Sequence, residues 1–390
     1  MSNNSNLTVK LVVVGAVVSG VLLFVQHHGG GTNGEFGFLA VRGPDAGGIA
    51  APNPFPGLSA NPRLLSYLGS VENATLSCPP TDQAFTIAKH PLFNYEIVTY
   101  GPSEMVSQIC LLAVNSGGHG HLSLFFEEPA VNFVVDLLHR ATAEAANSSS
   151  PAPGKPWMLD VGANIGVFSV PAAAAGFPVL AIEATPGTAA RLRCSAARNN
   201  ASHFNIINAA VVDPTGPSHV CVEVRGGAEN LGANTMTTNC AAGQERVPTM
   251  LLDQLPMGLT APTVFKLDIE GYELHALRGG VSWIKSHLPT YVYMELIPFL
   301  AERSTGSKVA WLDALTFWFD LGYHAWVPGP DGVEITPAMV AAERAGTTED
   351  FLAKELAKCS NNLLLSRRTI AELGVDVPPD VCLAYGTRSH

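Results

Sequence analysis

The stretch Trp157-Met-Leu-Asp160-Val-Gly162-Ala-Asn164-Ile-Gly166 constrains the fold more than any other part of the chain. An apolar run, Trp157 to Val161, carries one acid near its end and meets two glycines spaced Gly-x-x-x-Gly. Val167-Phe-Ser-Val-Pro-Ala-Ala-Ala-Ala175 then reads as a helix. Strand, tight turn and helix make the first unit of a βαβ fold. Glycine suits such a turn because a residue without Cβ lets backbone approach a ligand closely. The dinucleotide fingerprint Gly-x-Gly-x-x-Gly is absent. Asp160 also sits where a pyrophosphate would pass, and two anions repel. A ligand with an ammonium and a sulfonium but no phosphate suits the acid better. S-adenosylmethionine is such a ligand.

The next strand, Val179-Leu-Ala-Ile-Glu183, ends in an acid 23 residues after Asp160 (183 − 160). A carboxylate there accepts ribose hydroxyls, as the acid about 20 residues on does in dinucleotide folds. Thr185-Pro186 reads as N-cap and first position of a helix through Arg198. Phe204 to Val212 is the third strand. Thr263-Val-Phe-Lys266-Leu-Asp268-Ile-Glu270-Gly271 is the fourth and its exit, with Lys266, Asp268 and Glu270 on one side if the strand continues. A strand buried between helices carries three charges only if they pair or serve a site. Ligands of open α/β sheets lie outside the carboxyl ends of the strands, where Asp268 and Glu270 fall. The plainer alternative has one of these acids capping a helix from Tyr272 to Arg278. Tyr291 to Glu295 is the fifth strand, Val309 to Leu321 a helix, Tyr323 to Val327 the sixth strand, and Asn362 to Leu365 the last. Trp311, Phe317, Trp318 and Phe319 are expected in the core.

Asp160-Val-Gly-Ala-Asn-Ile-Gly166, Ala181-Ile-Glu-Ala184, Lys266-Leu-Asp-Ile-Glu-Gly271 and Met294-Glu-Leu296 resemble, in order and spacing, the FkbM family of methyltransferases. The resemblance covers Phe125 to Leu365. It implies a class I methyltransferase fold: α/β, Rossmann-like, a mostly parallel seven-stranded sheet with helices on both faces and an antiparallel last strand. It also implies S-adenosylmethionine as cofactor and O-methylation, often of a sugar hydroxyl. On this basis Asp160, Gly162, Asn164, Gly166 and Glu183 are the expected cofactor-binding residues, and Lys266, Asp268, Glu270 and Glu295 the expected catalytic ones. Glu127-Glu128-Pro129 resembles an acidic element ahead of the first motif in relatives, or is a solvated helix start. Relatives often carry a His two residues after the fifth-strand acid. Here Leu296-Ile297 follow Glu295, so a carboxylate rather than an imidazole is expected to activate the acceptor. Two acids alone make a poor metal site, which favours a metal-free mechanism. Two other classes stay open: a non-catalytic lumenal binding protein on the same fold, and a nicotinamide-dependent oxidoreductase.

Composition limits the partners. A net charge of −11 without any basic cluster argues against nucleic acid, and the family resemblance implies a small-molecule or glycan acceptor. Seven cysteines lack CxxC or zinc spacing, and in an oxidising compartment some would pair. At the N-terminus, Leu11 to Val25 is a 15-residue apolar run behind Lys10. Residues 1–28 are expected to be a signal anchor holding a lumenal body in the Golgi or endoplasmic reticulum, secreted if the segment is cleaved. Residues 29–83, rich in Gly and Pro, read as a stem. The catalytic domain spans 84–366 with a small N-terminal β extension, and 367–390 form a tail. Asn73, Asn147 and Asn200 open glycosylation triplets. His119-Gly-His121 reads as an ordinary loop; the loop 226–243 resembles one that lies near the substrate in relatives, and its Asn and Gly read as turn formers.

Overall fold

A computed structural model describes residues 128–148, 154–201, 203–223, 235–242, 244–328, 332–347, 351–358 and 361–373. Earlier in the chain it describes 11–12, 23–26, 36–39, 55, 57–58, 68–69, 86–89 and 96–99. The chain divides into two units, Met1–Pro52 and Asn53–His390.

In the first unit, Leu11–Val12, Leu23–Gln26 and Phe36–Leu39 pair as a three-stranded antiparallel sheet. The described ends of the apolar run 11–25 are therefore strands. Its valine-rich composition accounts for this, since β-branched side chains fit a pleated sheet better than a helix. The remainder of the expected anchor lies outside the described residues. No described helix is long and apolar enough to cross a membrane. Most of the stem, Glu127, His119-Gly-His121, the loop core 226–234 and the tail from residue 374 also lie outside.

In the second unit, helix α1 (Glu128–Asn147) precedes β1 (Met158–Val161), α2 (Ser169–Ala174), β2 (Val179–Ile182), α3 (Pro186–Arg198) and β3 (Phe204–Ile207). Then come β4 (Ala210–Val211), β5 (His219–Glu223), β6 (Thr235–Thr237) and β7 (Arg246–Met250). Alternation resumes with β8 (Val264–Leu267), α4 (Glu273–Arg278), α5 (Val281–His287), β9 (Tyr291–Glu295), α6 (Pro298–Thr305) and α7 (Ala310–Asp320). The chain continues through β10 (His324–Val327), β11 (Val333–Ile335), α8 (Pro337–Arg344), α9 (Phe351–Lys358) and β12 (Asn362–Ser366).

The main sheet runs β11-β10-β12-β9-β8-β1-β2-β3, with Leu68–Gly69 at the far edge. Strands β9, β8, β1, β2 and β3 are parallel, while β12 is antiparallel to both β9 and β10. Among the described residues the sheet has nine strands rather than the expected seven. β11 and Leu68–Gly69 add one antiparallel strand at each edge, too short to stand out by sequence pattern. From β1 the chain winds outward through β2 and β3 on one side, and later through β8 and β9 on the other. The crevice where strand order reverses opens at the carboxyl ends of β1 and β8.

Every residue of β1, β2 and β8 is buried, as strands covered on both faces must be. Their alternation divides the core. Leu159, Val161, Phe265 and Leu267 pack in the cluster that includes Trp311 and Trp318, against which Phe317 and Phe319 lie partly buried. Met158 and Val264 pack on the opposite face with Leu137, Val170 and Leu192, from α1, α2 and α3.

The expected third strand, Phe204 to Val212, is broken. Asn208 donates its side-chain amide to the carbonyls of Glu183 (2.8 Å) and Ala184 (2.9 Å), and β4 leaves to pair with β7. That second sheet runs β4-β7-β5-β6, with Cys221 and Cys240 joined by a disulfide at its β5–β6 end. Of the expected N-terminal β extension, Thr86–Lys89 and Glu96–Thr99 pair as an antiparallel hairpin whose Ile97 is buried. The third expected run, 107–112, lies outside the described residues.

Candidate active site

Beneath the glycine turn lies a buried cluster of charge. Parallel register sets Lys266 of β8 opposite Asp160 of β1, with Nζ 3.6 Å from Oδ1. Lys266 also donates to Asp268 Oδ2 at 3.0 Å and to the Gly162 carbonyl at 3.3 Å, and its Nζ lies 5.1 Å from the centroid of the Phe168 ring. Ser169, in the first turn of α2, donates its hydroxyl to Asp160 Oδ2. Burial pushes the Asp160 carboxyl above its ordinary range, and Lys266 pulls it back. Asp160 is fully buried, so this acid holds strands and turn together and does not line the cleft. Asp268 differs, with its side chain 32% exposed at the strand's end.

Two glycines of the turn have separate reasons to be glycine. Gly162 has φ +81°, and a Cβ there would lie 1.8 Å from the Asp268 carbonyl oxygen. Gly166 has φ +99°, and a Cβ there would meet Leu192 and Val170, each at 2.6 Å. Gly162 thus lets β1 and the β8 exit touch, while Gly166 serves helix packing rather than ligand approach. Asn164, at φ +51°, takes the left-handed conformation that Asn tolerates, and its side chain folds back to accept the Ile165 N–H.

Glu183, just past β2, accepts the backbone N–H of Asn164 through Oε2 (2.9 Å) and of Thr185 through Oε1 (2.8 Å). Burial raises its pKa, and those two amides oppose the rise. Thr185 and Pro186 open α3 as expected, although the threonine makes no side-chain cap bond.

The β8 exit departs from the expected alternation. Strand β8 stops at Leu267, and Glu270 turns left-handed at φ +56°, followed by Gly271 at φ +94°. Lys266 and Asp268 share a side, but Glu270 leaves it. Neither acid caps α4. The N-cap is Tyr272, and Glu273 in the first turn accepts from Ile269 N–H (3.0 Å) and Gly271 N–H (3.2 Å). Glu295 ends β9, half-buried, opposite Asn362 of β12. Since Leu267 pairs with Met294, the next residues, Asp268 and Glu295, are level at the carboxyl ends of adjacent strands. Tyr272 donates to the Met236 carbonyl (2.9 Å), joining the exit loop to β6. Sequence reasoning missed Ser169, Tyr272 and Glu273. Among the described residues no three His, Cys, Asp or Glu side chains gather as a metal site.

Residues 160–325 match the family model of the methyltransferase FkbM domain. This stretch is an FkbM methyltransferase domain. No curated protein matches the chain in sequence. Among solved structures the chain is similar to a tRNA (uracil-54, C5)-methyltransferase of Pyrococcus abyssi in complex with S-adenosyl-L-homocysteine. That match has 10% identity and a TM-score of 0.28, over 57% of this chain and 37% of that one. The chain thus spans little more than a third of that protein. It is also similar to precorrin-6y C5,15-methyltransferase of Geobacter metallireducens, with 13% identity and a TM-score of 0.29, over 64% of this chain and 90% of that one. The strand order, not these likenesses, establishes the class I fold.

The methyl donor of the FkbM domain is S-adenosylmethionine, and the residues present fit it. A carboxylate offers about four lone-pair positions. The Asn164 and Thr185 amides and the Thr185 side chain take up part of that capacity on Glu183, and the remainder faces a ribose hydroxyl. The Asp160–Lys266–Asp268 cluster carries two acids against one ammonium, so a cationic ligand beside it relieves charge.

Proposed function

We propose that this FkbM domain transfers a methyl group to a hydroxyl oxygen of a small-molecule or glycan acceptor, in an oxidising compartment of the secretory pathway. The observation that carries the reading is the row of acids at the carboxyl ends of β2, β8 and β9. Glu183 is placed for a ribose, and Asp268 and Glu295 stand level with each other beside it. In this reading Glu183 holds the donor, helped by the close backbone approach at Gly162 and by the Asn164 amide that orients Glu183. Asp160 acts from below, through Lys266.

S-adenosylmethionine, when bound, supplies an electrophilic methyl on a sulfonium. Direct displacement requires the acceptor oxygen in line with that methyl, and an unactivated alcohol hardly ionises near neutral pH. Asp268 is the base this reading assigns: Lys266 fixes one of its oxygens, and its partial exposure leaves the side chain reachable. It would take the hydroxyl proton as the oxygen–carbon bond forms and the methyl–sulfur bond breaks, the sulfur leaving as a neutral thioether. Glu295 and Glu270 orient the acceptor. A sugar hydroxyl is favoured by the family resemblance, by the negative net charge and by an acidic cleft that repels phosphorylated acceptors.

Two observations support the compartment. Cys221 and Cys240 are bonded, and Cys194 is also disulfide-bonded, as persists where thiols are not kept reduced. Residues 1–28 are proposed to direct the chain there, as anchor or as cleaved leader. Incubating the full chain with methyl-labelled S-adenosylmethionine and a glycan panel tests the activity. Label in a hydroxyl-bearing glycan, lost in Asp268→Asn, supports the reading. Donor binding with no label in any glycan, lipid or small alcohol overturns it in favour of a binding protein.

A further inference from the structure

The proposed chemistry leaves one buried acid unused. Glu273, the first residue of α4, is 1% exposed and reaches back along the chain. Its Oε1 accepts the amides of Ile269 and Gly271, the residues on either side of Glu270. Its Oε2 is buried and has no hydrogen-bond partner among the described residues. The neighbouring charge that acts on it, Asp268, repels it. A buried carboxylate oxygen without a partner is costly, and a neutral side chain would begin a six-residue helix at less expense. What this side chain adds is one oxygen that holds two amides at once.

Those two amides bracket the strained point of the site. Glu270 is a non-glycine residue at φ +56°, a conformation that persists only where its surroundings impose it. The other end of the loop is fixed too, because the Asp268 carbonyl is pressed against the Cα of Gly162. The segment 268–271 is therefore held at the donor turn by one contact and at α4 by Glu273.

We propose that Glu273 is a positioning residue for methyl transfer: by clamping the amides of Ile269 and Gly271 it holds Glu270 left-handed and fixes how Asp268 and Glu270 face the acceptor. This rests on the cleft being the methyl-acceptor site. Glu273 touches neither donor nor acceptor and acts through the loop. Glutamine preserves the clamp, since its carbonyl oxygen accepts both N–H groups, and alanine abolishes it.

The test uses the full chain, with amide exchange at Ile269 and Gly271, donor affinity by calorimetry, and labelled methyl transfer to the glycan panel. In Glu273→Ala, exchange at both amides rises and transfer falls, each by about tenfold or more, as losing a hydrogen bond of this kind predicts. Donor affinity stays within about twofold of wild type because Glu183 and its amides are untouched. Glu273→Gln stays near wild type in all three. Glu273→Asp, one methylene shorter, carries the same test if the alanine variant does not fold. Unchanged exchange in the alanine variant overturns the proposal, as does a donor affinity that falls in step with transfer, or a glutamine variant as impaired as alanine. If wild type binds donor but labels no acceptor, the acceptor reading fails, and the exchange rates alone decide the clamp.

Discussion

Lys266 and Asp160 face each other across adjacent parallel strands, 3.6 Å apart at the charged atoms and both almost fully buried. The pair sits one step below the Gly162 turn, and the same ammonium reaches Asp268 and the Gly162 carbonyl. One cation thus ties the glycine turn after β1 to the acid after β8. A buried ion pair is seldom a net source of stability against an apolar replacement. Its value here is geometric, because it sets the turn and Asp268 relative to each other.

Removing Lys266 leaves Asp160 buried without its countercharge. Lys266→Met is expected to cost about 3–5 kcal/mol of unfolding free energy, read as a lower denaturant midpoint at unchanged slope. Adding Asp160→Asn removes the stranded charge and recovers a large part of that loss. A double variant whose loss equals the sum of the single ones contradicts the coupling.

The extent to which the sequence disclosed this site follows the range of the interactions involved. The places of Asp160, Gly162 and Glu183 at strand ends and in the turn were legible because local pattern sets them, whereas the complete burial of Asp160 was not. The level placement of Asp268 and Glu295 followed from strand order. Ser169 was not legible, because only the folded turn brings its hydroxyl to Asp160. The break in the third strand depends on Asn208 bonding the carbonyls of Glu183 and Ala184, a long-range contact with no local signature. Glu270 was expected to continue an alternation that a left-handed turn interrupts. The Gly271-x-Glu273 spacing was the one available hint of that turn.

Glu273 gives stability a pH dependence of definite sign. Burial raises its pKa from 4.5 to about 7. The folded state therefore binds the proton more tightly than the unfolded state, and the stabilisation present below pH 4.5 is lost as pH rises through 7. The shift corresponds to about 3 kcal/mol. The stability of wild type relative to Glu273→Gln should fall by that order between pH 4.5 and 8, measured by denaturant titration at each pH. A difference that stays flat across the range refutes the assignment.

The Cys221–Cys240 bond closes a separation of 19 residues beside β6, whose Met236 carbonyl accepts from Tyr272. Replacing both cysteines with serine is expected to cost roughly 2–4 kcal/mol. Tyr272 ties this ribbon to the exit loop of β8, so under the proposed function methyl transfer should fall more than donor affinity. Equal losses in both would place the ribbon at the donor instead.

Asn147 and Asn200 open glycosylation triplets and are exposed, one ending α1 and the other in a left-handed turn after α3. If the body is lumenal, the chain from secretory expression should gain mobility on gels after amidase removal of N-glycans, with Asn147→Gln and Asn200→Gln each removing one step of the shift. No shift at either position counts against the lumenal placement.

The central claim is that Glu183, oriented by the Asn164 and Thr185 amides, is the donor's ribose acceptor. Isothermal titration of the full chain with S-adenosylmethionine tests it directly. Wild type should bind at one site per chain. Glu183→Ala should bind about tenfold to a hundredfold more weakly, the loss of one or two hydrogen bonds to a charged group, while Glu183→Gln, which still accepts the two amides, keeps an unfolding midpoint closer to wild type. Absent binding in wild type, or equal affinity in wild type and Glu183→Ala, would contradict the account.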